Sequence, residues 1–255
     1  MCLIVFAYKI HPKYKLILAA NRDEFYNRPT KSAIWWEDKP HILGGRDLKA
    51  KGTWMAVDKK GRFAAVTNYR DLSNIREDAK SRGNLPVNFL DGLSNSENYT
   101  REVLEEGSSY NGFNLLVMDD EMVHISNYEN ESNKLEDGIF GLSNALLDTP
   151  WPKVKLAKED FTKVINSEFS LDELISVMQN EQVAQDHELP PTGLPLDMER
   201  AVSAMCIRTP NYGTCCSTAI TIDYEGNVKF LEKSYPVGDR KDAEVSYTFN
   251  SKVLQ

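Results

Sequence analysis

Short apolar segments joined by tight turns occupy both ends of the sequence, and they limit the chain to folds built on antiparallel sheets. Near the start, Leu3–Tyr8 and Leu16–Ala20 are separated by a short stretch that contains a His-Pro turn. Trp54–Val57 and Phe63–Thr67 are joined by a turn containing Gly61, which is free to adopt positive φ. Parallel strands need a crossover of a dozen or more residues, so connections this short predict antiparallel hairpins.

Two further groups of strands follow the same pattern. One is a hairpin predicted at Phe113–Met118 and Met122–Tyr128, on either side of an acidic turn. The other is a meander near the end of the sequence, predicted at Ala201–Ile207, Thr214–Ile222, Val228–Tyr235 and Val245–Phe249.

Helical signals lie between the strand groups. Thr149-Pro150 predicts a helix that begins with an N-cap and a proline, and Ser170-Leu-Asp-Glu173 is a capping box. A further helix is predicted at Glu97–Glu105. Strand-rich halves around a helical middle predict an α+β fold, with antiparallel sheets stacked on each other and helices outside. We expect one domain over residues 1–255.

Charge and hydropathy narrow the function classes. The sequence has 30 Lys and Arg against 38 Asp and Glu, a net charge of −8. Nucleic-acid binding draws on a basic face that releases counterions, so we expect no nucleic-acid partner. The apolar runs fall far short of the ~20 residues that a transmembrane helix needs, and no signal peptide is visible.

With four cysteines in no CxxC pair, the sequence favours a cytoplasmic protein with reduced thiols and no metal. It gives no oligomeric state.

Cys2 is the first candidate for chemistry. A small second residue usually permits removal of the initiator Met, which would leave Cys2 at the N-terminus. Its thiol would then lie beside its own α-amino group, whose pKa of about 7.7–8.0 makes it a usable base at neutral pH. The other interpretation is a small apolar residue buried at the start of a central strand, as is common for a free cysteine.

Polar residues follow the second predicted strand. Asn21, Arg22, Asp23 and Glu24 come directly after its apolar segment. If the first two strands form a hairpin, the end of the second lies near the start of the first, so the Asp23 carboxylate lies near Cys2. The alternative is a solvated loop, because connecting segments run over protein surfaces and are commonly polar.

Two asparagines also end apolar strands. Asn68 follows Phe63–Thr67, and Asn144 ends the segment Gly141-Leu-Ser-Asn144. A side-chain NH₂ at a strand end suits a developing oxyanion, and it suits the stabilisation of a local turn equally well.

Seven arginines lie within one 61-residue window of this acidic chain. One interpretation is a local positive site that binds a carboxylate or phosphate, with Arg46 and Arg70 among the candidate binding residues. The other is a set of ordinary surface ion pairs. Trp35 and Trp36 could wall an apolar ligand site or belong to the core. The seven arginines are Arg22, Arg28, Arg46, Arg62, Arg70, Arg76 and Arg82.

In their order along the chain, these motifs resemble the NRDE proteins, also called the transport-and-Golgi-organisation protein 2 family. The family is similar, more distantly, to N-terminal-nucleophile hydrolases of the choloylglycine hydrolase and penicillin V acylase type, which implies a four-layer αββα fold. The resemblance covers nearly the whole chain and is carried by Met1-Cys2-Leu-Ile, Ala20-Asn-Arg-Asp-Glu24, Gly52-Thr-Trp-Met-Ala-Val57, Gly61–Arg70, Gly141–Ala145, Thr149–Lys153 and Tyr212-Gly-Thr214.

The resemblance implies roles for five residues. Cys2 matches the nucleophile and Asp23 the carboxylate near its amino group. Asn68 and Asn144 match asparagines that help to form the oxyanion site. Arg22 lies close to the arginine that those hydrolases place before their aspartate.

The chain departs from the family pattern at one position. Many relatives carry an arginine where this chain has Cys215. The resemblance therefore implies that a cation is missing late in the site, unless Arg208 replaces it.

Two functions follow from these observations. The first is a cysteine N-terminal-nucleophile hydrolase, or a descendant of one, that acts on a linear amide or acyl thioester, with Asn21 among its substrate contacts. The second is a non-enzymatic carrier or chaperone for an amphipathic anionic ligand such as haem, with which the family is associated. In that case the arginines would meet the propionates, and Trp35 and Trp36 the flat ring. Both predict a small amphipathic or acyl-containing partner and no resident cofactor.

Overall fold

The computed structural model describes residues 2–236 and 241–253, which divide into two compact units. Unit 1 is the described part of Met1–Arg28 and Asp137–Thr248, and unit 2 that of Pro29–Glu136 and Phe249–Gln255. In chain order the elements are β1 (Cys2–Tyr8), β2 (Tyr14–Phe25), β3 (Thr30–Trp35), β4 (Ile42–Asp47), β5 (Met55–Asp58), β6 (Phe63–Asn68), α1 (Asn84–Asp91), α2 (Ser96–Glu105), β7 (Phe113–Met118), β8 (Met122–Ser126), β9 (Glu131–Lys134), β10 (Gly138–Leu142), α3 (Pro152–Ile165), α4 (Leu171–Val177), α5 (Leu196–Val202), β11 (Tyr212–Asp223), β12 (Asn227–Ser234) and β13 (Ala243–Asn250).

Unit 1 is built on a six-stranded sheet in the order β10-β1-β2-β11-β12-β13. Successive side chains of a strand point to opposite faces. Odd-numbered residues of β1 and β2, such as Leu3, Val5 and Ala19, pack beneath α3 and α4 in one apolar core. Even-numbered residues, Cys2 and Arg22 among them, therefore belong to the other face of this sheet.

Unit 2 is built on a seven-stranded sheet in the order β3-β4-β5-β6-β7-β8-β9. Its apolar core lies between the sheet and the helices α1 and α2, and includes Val66, Leu115 and Phe89. The pairings from β10 through β12 in the first sheet and throughout the second are antiparallel, so the predicted α+β class is confirmed. Each unit consists of one layer of helices packed on one sheet.

Most of the predicted elements are confirmed, including the three early hairpins and the helix at the capping box of Ser170 and Glu173. The strand predicted at Ala201–Ile207 is wrong, because the N–H of Cys206 donates to Asn180 O and that of Ile207 donates to Thr214 Oγ1. No backbone ladder forms where these donors are engaged by a loop carbonyl and a side chain.

The predicted start of α3 is also wrong by two residues. Trp151, not Thr149, is the N-cap residue, with extended backbone angles (φ −63°, ψ 147°), and Pro152 is the first helical residue. The Thr149 hydroxyl instead donates to Leu146 O at 2.8 Å and closes the preceding turn. Among the described residues, no helix is long and apolar enough to cross a membrane.

Candidate active site

The polar residues after Ala20 form part of strand β2, not a loop. Asn21, Arg22 and Asp23 are all buried within a strand that continues to Phe25. Polar side chains can occupy a central strand when each finds partners there. The loop alternative is therefore overturned, and these residues lie at the end of β2 that pairs with the start of β1.

Cys2 begins β1 and pairs directly with Arg22 on β2. The backbone N–H of Asp23 donates to its sulfur. Burial, the largest influence, raises the pKa of the Cys2 thiol to about 11; the Asp23 carboxylate adds to the rise, whereas the Arg22 guanidinium and the Asp23 N–H oppose it. At neutral pH the thiol in the chain that bears Met1 is therefore protonated and needs a base to become a nucleophile.

Arg22 lies between two thiols, because it pairs with Cys2 on one side and with Cys216 of β11 on the other. The residue is only 6% exposed. Its Nη2 is 3.5 Å from Glu24 Oε2, and its Nη1 is buried with no hydrogen-bond acceptor among the described residues. Buried polar groups in proteins are normally hydrogen-bonded, so this donor marks a place suited to a thiolate or an anionic ligand oxygen.

Asp23 lies on the helix-covered face and is 1% exposed. Thr214 Oγ1 donates to Asp23 Oδ1 at 2.7 Å and accepts the backbone N–H of Ile207 at 2.8 Å. Burial raises the pKa of the Asp23 carboxyl, while the ammonium of Lys153, the Thr214 hydroxyl and the Arg22 guanidinium each oppose that rise. Burial and these partners therefore act in opposite directions on its ionisation.

Asn144 reaches the same end of the sheet through the turn after β10. Ser143 Oγ lies 2.9 Å from the carbonyl oxygen of Cys2, to which it donates, and 3.3 Å from Asn144 Oδ1. Both residues are buried. The structure thus brings four of the predicted residues together in unit 1, namely Cys2, Arg22, Asp23 and Asn144.

Asn21 has a structural role in this arrangement. Its Nδ2 donates to the carbonyls of Met178 and Met205, at 2.7 and 2.8 Å, and its Oδ1 accepts the hydroxyl of Ser217. The side chain therefore ties the end of α4 and the segment before β11 to the central strand. Its predicted contact with substrate stays a prediction.

Sequence reasoning missed four residues of this neighbourhood: Ser143, Lys153, Thr214 and Cys216. Three of them lie in segments that carry the family resemblance, and that was their only signal. The four cysteines are buried free thiols. Cys215 and Cys216 lie at a register shift in β11, where one extra residue interrupts the pairing with β2.

Arg208 lies just before β11, in unit 1. Its Nε is 3.2 Å from Glu181 Oε1, and its guanidinium lies 4.7 Å from the centre of the Tyr235 ring. An isolated bridge pairs it with Gly213. Its predicted role as a replacement cation stays a prediction.

The other predicted residues belong to unit 2. Asn68 ends β6, and Arg70 follows it. Trp36 lies in the core and donates to Gly44 O, whereas Trp35 packs edge-on against Phe249. Ile34 and Trp36 both pack in the helix-side core, so Trp35 between them points to the opposite face.

Local contacts account for several arginines of the 61-residue window. Arg46 forms a bidentate ion pair with Asp38 and lies over the Trp36 ring. Arg62 pairs with Asp58 and donates to carbonyls at the end of α1. Each of these guanidinium groups is committed to a neighbouring carboxylate.

Comparison with known proteins gives one family over most of the chain. The family model described as "Transport and Golgi organisation 2" matches residues 1–236. The Bos taurus Transport and Golgi organization protein 2 homolog is 36% identical over 261 residues, covering 92% of this chain and 93% of the relative. The Drosophila melanogaster Transport and Golgi organization protein 2 is 25% identical and covers 99% and 100%. The predicted resemblance is confirmed.

Two solved structures overlap with the chain more loosely. A C2A mutant of conjugated bile acid hydrolase from Clostridium perfringens has a TM-score of 0.44 and 11% identity, covering 98% of this chain and 97% of that one. The Caenorhabditis elegans ortholog of N-acylethanolamine-hydrolyzing acid amidase has the same score and identity and covers 86% and 92%. Similarity at this level does not support assigning the roles of residues in those two proteins to residues of this chain.

Proposed function

The chain belongs to the Transport and Golgi organisation 2 family, and for this member we propose a function as a cysteine N-terminal-nucleophile hydrolase-like protein that acts on a linear amide or acyl thioester. The observation that carries the proposal is the cross-strand pairing of Cys2 with Arg22, a buried arginine whose Nη1 has no acceptor among the described residues. A purely structural cysteine at the start of a strand requires no such neighbour.

The protonated state of the thiol indicates what the nucleophile needs. Burial raises the pKa of Cys2 to about 11, so little thiolate exists at pH 7. Removal of Met1 would place a free α-amino group on the same residue, with an ordinary pKa of about 7.7–8.0. The neutral amine is then a base within reach of the thiol proton.

The proposed reaction proceeds in two halves. The amine takes the thiol proton as the sulfur forms a bond to the substrate carbonyl carbon, and the resulting ammonium lies near Asp23. Collapse of the tetrahedral intermediate breaks the C–N or C–S bond, and the leaving amine or thiol takes that proton. The amine then deprotonates a water molecule, which hydrolyses the acyl-Cys2 thioester and releases the acid.

Asn144 is the proposed oxyanion donor within unit 1. The hydroxyl of Ser143 donates to its Oδ1 at 3.3 Å, so the turn after β10 orients this amide, and a side-chain NH₂ is a suitable donor to an oxyanion. A second donor from Asn68 is proposed on the family resemblance alone. Arg22 would stabilise negative charge on the sulfur or the substrate.

The test compares two forms of the same chain. One form is produced with a cleavable leader whose removal exposes Cys2, and the other retains Met1. Each is incubated with a panel of acyl thioesters and acyl amides, and intact-mass spectrometry follows acylation of Cys2. We expect an acyl adduct and turnover only in the form that begins with Cys2, and neither in its Cys2→Ala variant. Absence of an adduct and of turnover in that form would overturn the proposal.

The carrier hypothesis has less support from the geometry. The two tryptophans predicted to cover a flat ring point to opposite faces, and Arg46 is paired with Asp38. It stays a prediction, which titration with haem tests through saturable one-to-one binding.

A further inference from the structure

The edge strand β10 bonds to β1 through every second residue. Its ladder with β1 ends at the pair of Ile4 and Leu142. One residue earlier, Gly141 points away from β1, because its N–H donates to Asp148 Oδ1 and its C=O accepts the Asp148 N–H, both at 2.8 Å. Antiparallel partners alternate between hydrogen-bonded and non-hydrogen-bonded pairs. Leu142 therefore belongs to a hydrogen-bonded pair with Ile4.

Continued for two residues, this alternation would make Cys2 and Asn144 the next hydrogen-bonded pair. The ladder stops before that pair, because the chain bends from Ser143 onward. On the other side of β1, odd-numbered residues bond to β2, as does the N–H of Lys9, just after β1, to Lys15 O. The even-numbered Cys2 therefore turns its carbonyl towards β10, where no backbone donor among the described residues meets it.

Ser143 supplies the missing donor with its side chain. Its hydroxyl donates to the carbonyl oxygen of Cys2 at 2.9 Å and to Asn144 Oδ1 at 3.3 Å. The residue is buried. One hydroxyl thus connects the backbone of the proposed nucleophile to the amide of the proposed oxyanion donor, at the point where β10 leaves the sheet.

The contact between Ser143 and Cys2 matters most when Cys2 is the first residue of the chain. Terminal residues are poorly ordered unless the fold ties them down, and the proposed reaction uses both the thiol and the α-amino group of this residue. Peptide bonds are planar, so a fixed Cys2 carbonyl also fixes the peptide bond to Leu3. Only rotations within Cys2 itself then remain.

We propose that Ser143 is a positioning residue, whose hydroxyl replaces a backbone bond at the end of β10 and holds Cys2 beside Asn144. Ser143 acts through these two residues and not through the substrate. The anchoring of Cys2 is independent of any reaction, whereas the effect of Ser143 on turnover rests on the proposed function.

The anchoring is tested in the chain that retains Met1. Cysteine labelled with carbon-13 at the carbonyl gives one signal for each cysteine, and Cys2→Ala identifies the signal of Cys2. The shift of a carbonyl carbon responds to hydrogen bonding at its oxygen. Ser143→Ala should therefore move the Cys2 signal, and Ser143→Thr, which keeps the hydroxyl, should leave it near its wild-type position. An unmoved signal in Ser143→Ala, or an equal movement in both variants, would overturn the proposal.

Ser96 provides the matched control. Its hydroxyl is also buried and donates to Asp119 Oδ1 at 2.9 Å, within unit 2. Ser96→Ala removes a comparable hydrogen bond and should leave the Cys2 signal in place, and an equal movement there would indicate a general change and contradict a specific role for Ser143. If Ser143→Ala fails to fold, Ser143→Cys replaces it, because a thiol is a weaker donor of similar shape. A Cys2 signal at the wild-type position in that variant would count against the anchoring.

The effect on turnover is measured in the form that begins with Cys2, with the acyl thioesters of the panel. Ser143→Ala is expected to lower kcat by roughly tenfold and to leave KM unchanged, because Ser143 orients the reacting groups and does not bind the substrate. Ser143→Thr should recover most of kcat. An unchanged kcat in Ser143→Ala would refute the positioning role and leave the hydrolase standing. No turnover in any form, with the carbonyl shift present, would refute the hydrolase and support the anchoring alone.

Discussion

Cys2 and Arg22 are direct cross-strand partners, so the register of the first hairpin alone sets the guanidinium beside the thiol. A slip of one residue would carry Arg22 to the other face of the sheet, because side chains alternate along a strand. The apolar core beneath α3, which takes every second residue of β1 and β2, opposes such a slip. Packing on one face thus fixes the chemistry on the other.

Replacement of Arg22 by Met should make Cys2 a poorer nucleophile. The guanidinium lowers the pKa of the thiol, against the larger effect of burial, so its loss raises the pKa further. We expect slower alkylation of Cys2 by iodoacetamide at every pH from neutral to alkaline, measured by peptide mass mapping. Arg28→Met, which removes a partly exposed partner of Glu24, is the control. Equal rates in the wild type and Arg22→Met would contradict this role.

Thr214→Val should destabilise the protein by about 1–3 kcal/mol, because it removes the acceptor of the Ile207 N–H and one hydrogen-bond donor to Asp23. Thr218→Val provides the same substitution on the same strand. The Thr218 hydroxyl is buried without a hydrogen-bond partner among the described residues, so its loss should be neutral or stabilising. Urea unfolding measures both, and equal losses would show that the hydrogen bonds are not the cause.

Acid should destabilise unit 2 through His124. Burial lowers the pKa of this imidazole to about 4, below its ordinary value of about 6.5. The unfolded chain therefore binds the proton first, and stability present above pH ~6.5 is lost as the pH falls towards ~4, by about 3 kcal/mol in total. Unfolding free energies measured across this range should depend less on pH in His124→Gln. The exposed His187→Gln should follow the wild type; a His124→Gln curve parallel to the wild type would refute the assignment.

Gly213 has no room for a side chain. A Cβ at this position would lie 2.3 Å from Ile207 O and 2.4 Å from the Tyr26 hydroxyl. Gly213→Ala should therefore cost about 1–3 kcal/mol and displace Thr214, which follows it. At Gly107 the nearest atom to an added Cβ is 3.3 Å away, so Gly107→Ala should cost less. Thermal unfolding compares the two variants, and the reverse order would contradict the steric argument.

Sequence reasoning predicts hairpins well here because their signals are local: an apolar run, a turn and a second run. It predicts the environment of Asn21 and Asp23 poorly, because their partners are far away in the chain. Asn21 bonds to carbonyls 157 and 184 residues later, and Asp23 to a threonine 191 residues later. Because these partners are so distant in the sequence, composition alone does not distinguish this buried polar segment from a loop.

The same limit applies to Lys153. Helical periodicity over Val154, Ala157 and Phe161 identifies the buried face of α3, and these residues do lie in its core. A lysine in the first turn has no such signal, since the partner of its buried ammonium is the carbonyl of Val202, which comes from α5. Only tertiary structure brings these groups together.

The extra residue in β11 has a consequence for how the length of this chain can change. Before Cys215, the even-numbered Thr214 faces Asp23; after it, Cys216 faces Arg22, and the odd-numbered Ala219 joins the helix-side core. Deletion of residue 215 would therefore preserve both partnerships, whereas a deletion between 217 and 223 would exchange the two faces of the strand beyond it. The strand can therefore lose one residue at position 215 in evolution without moving its other side chains to the opposite face of the sheet. Loss of one residue at the following positions would move them.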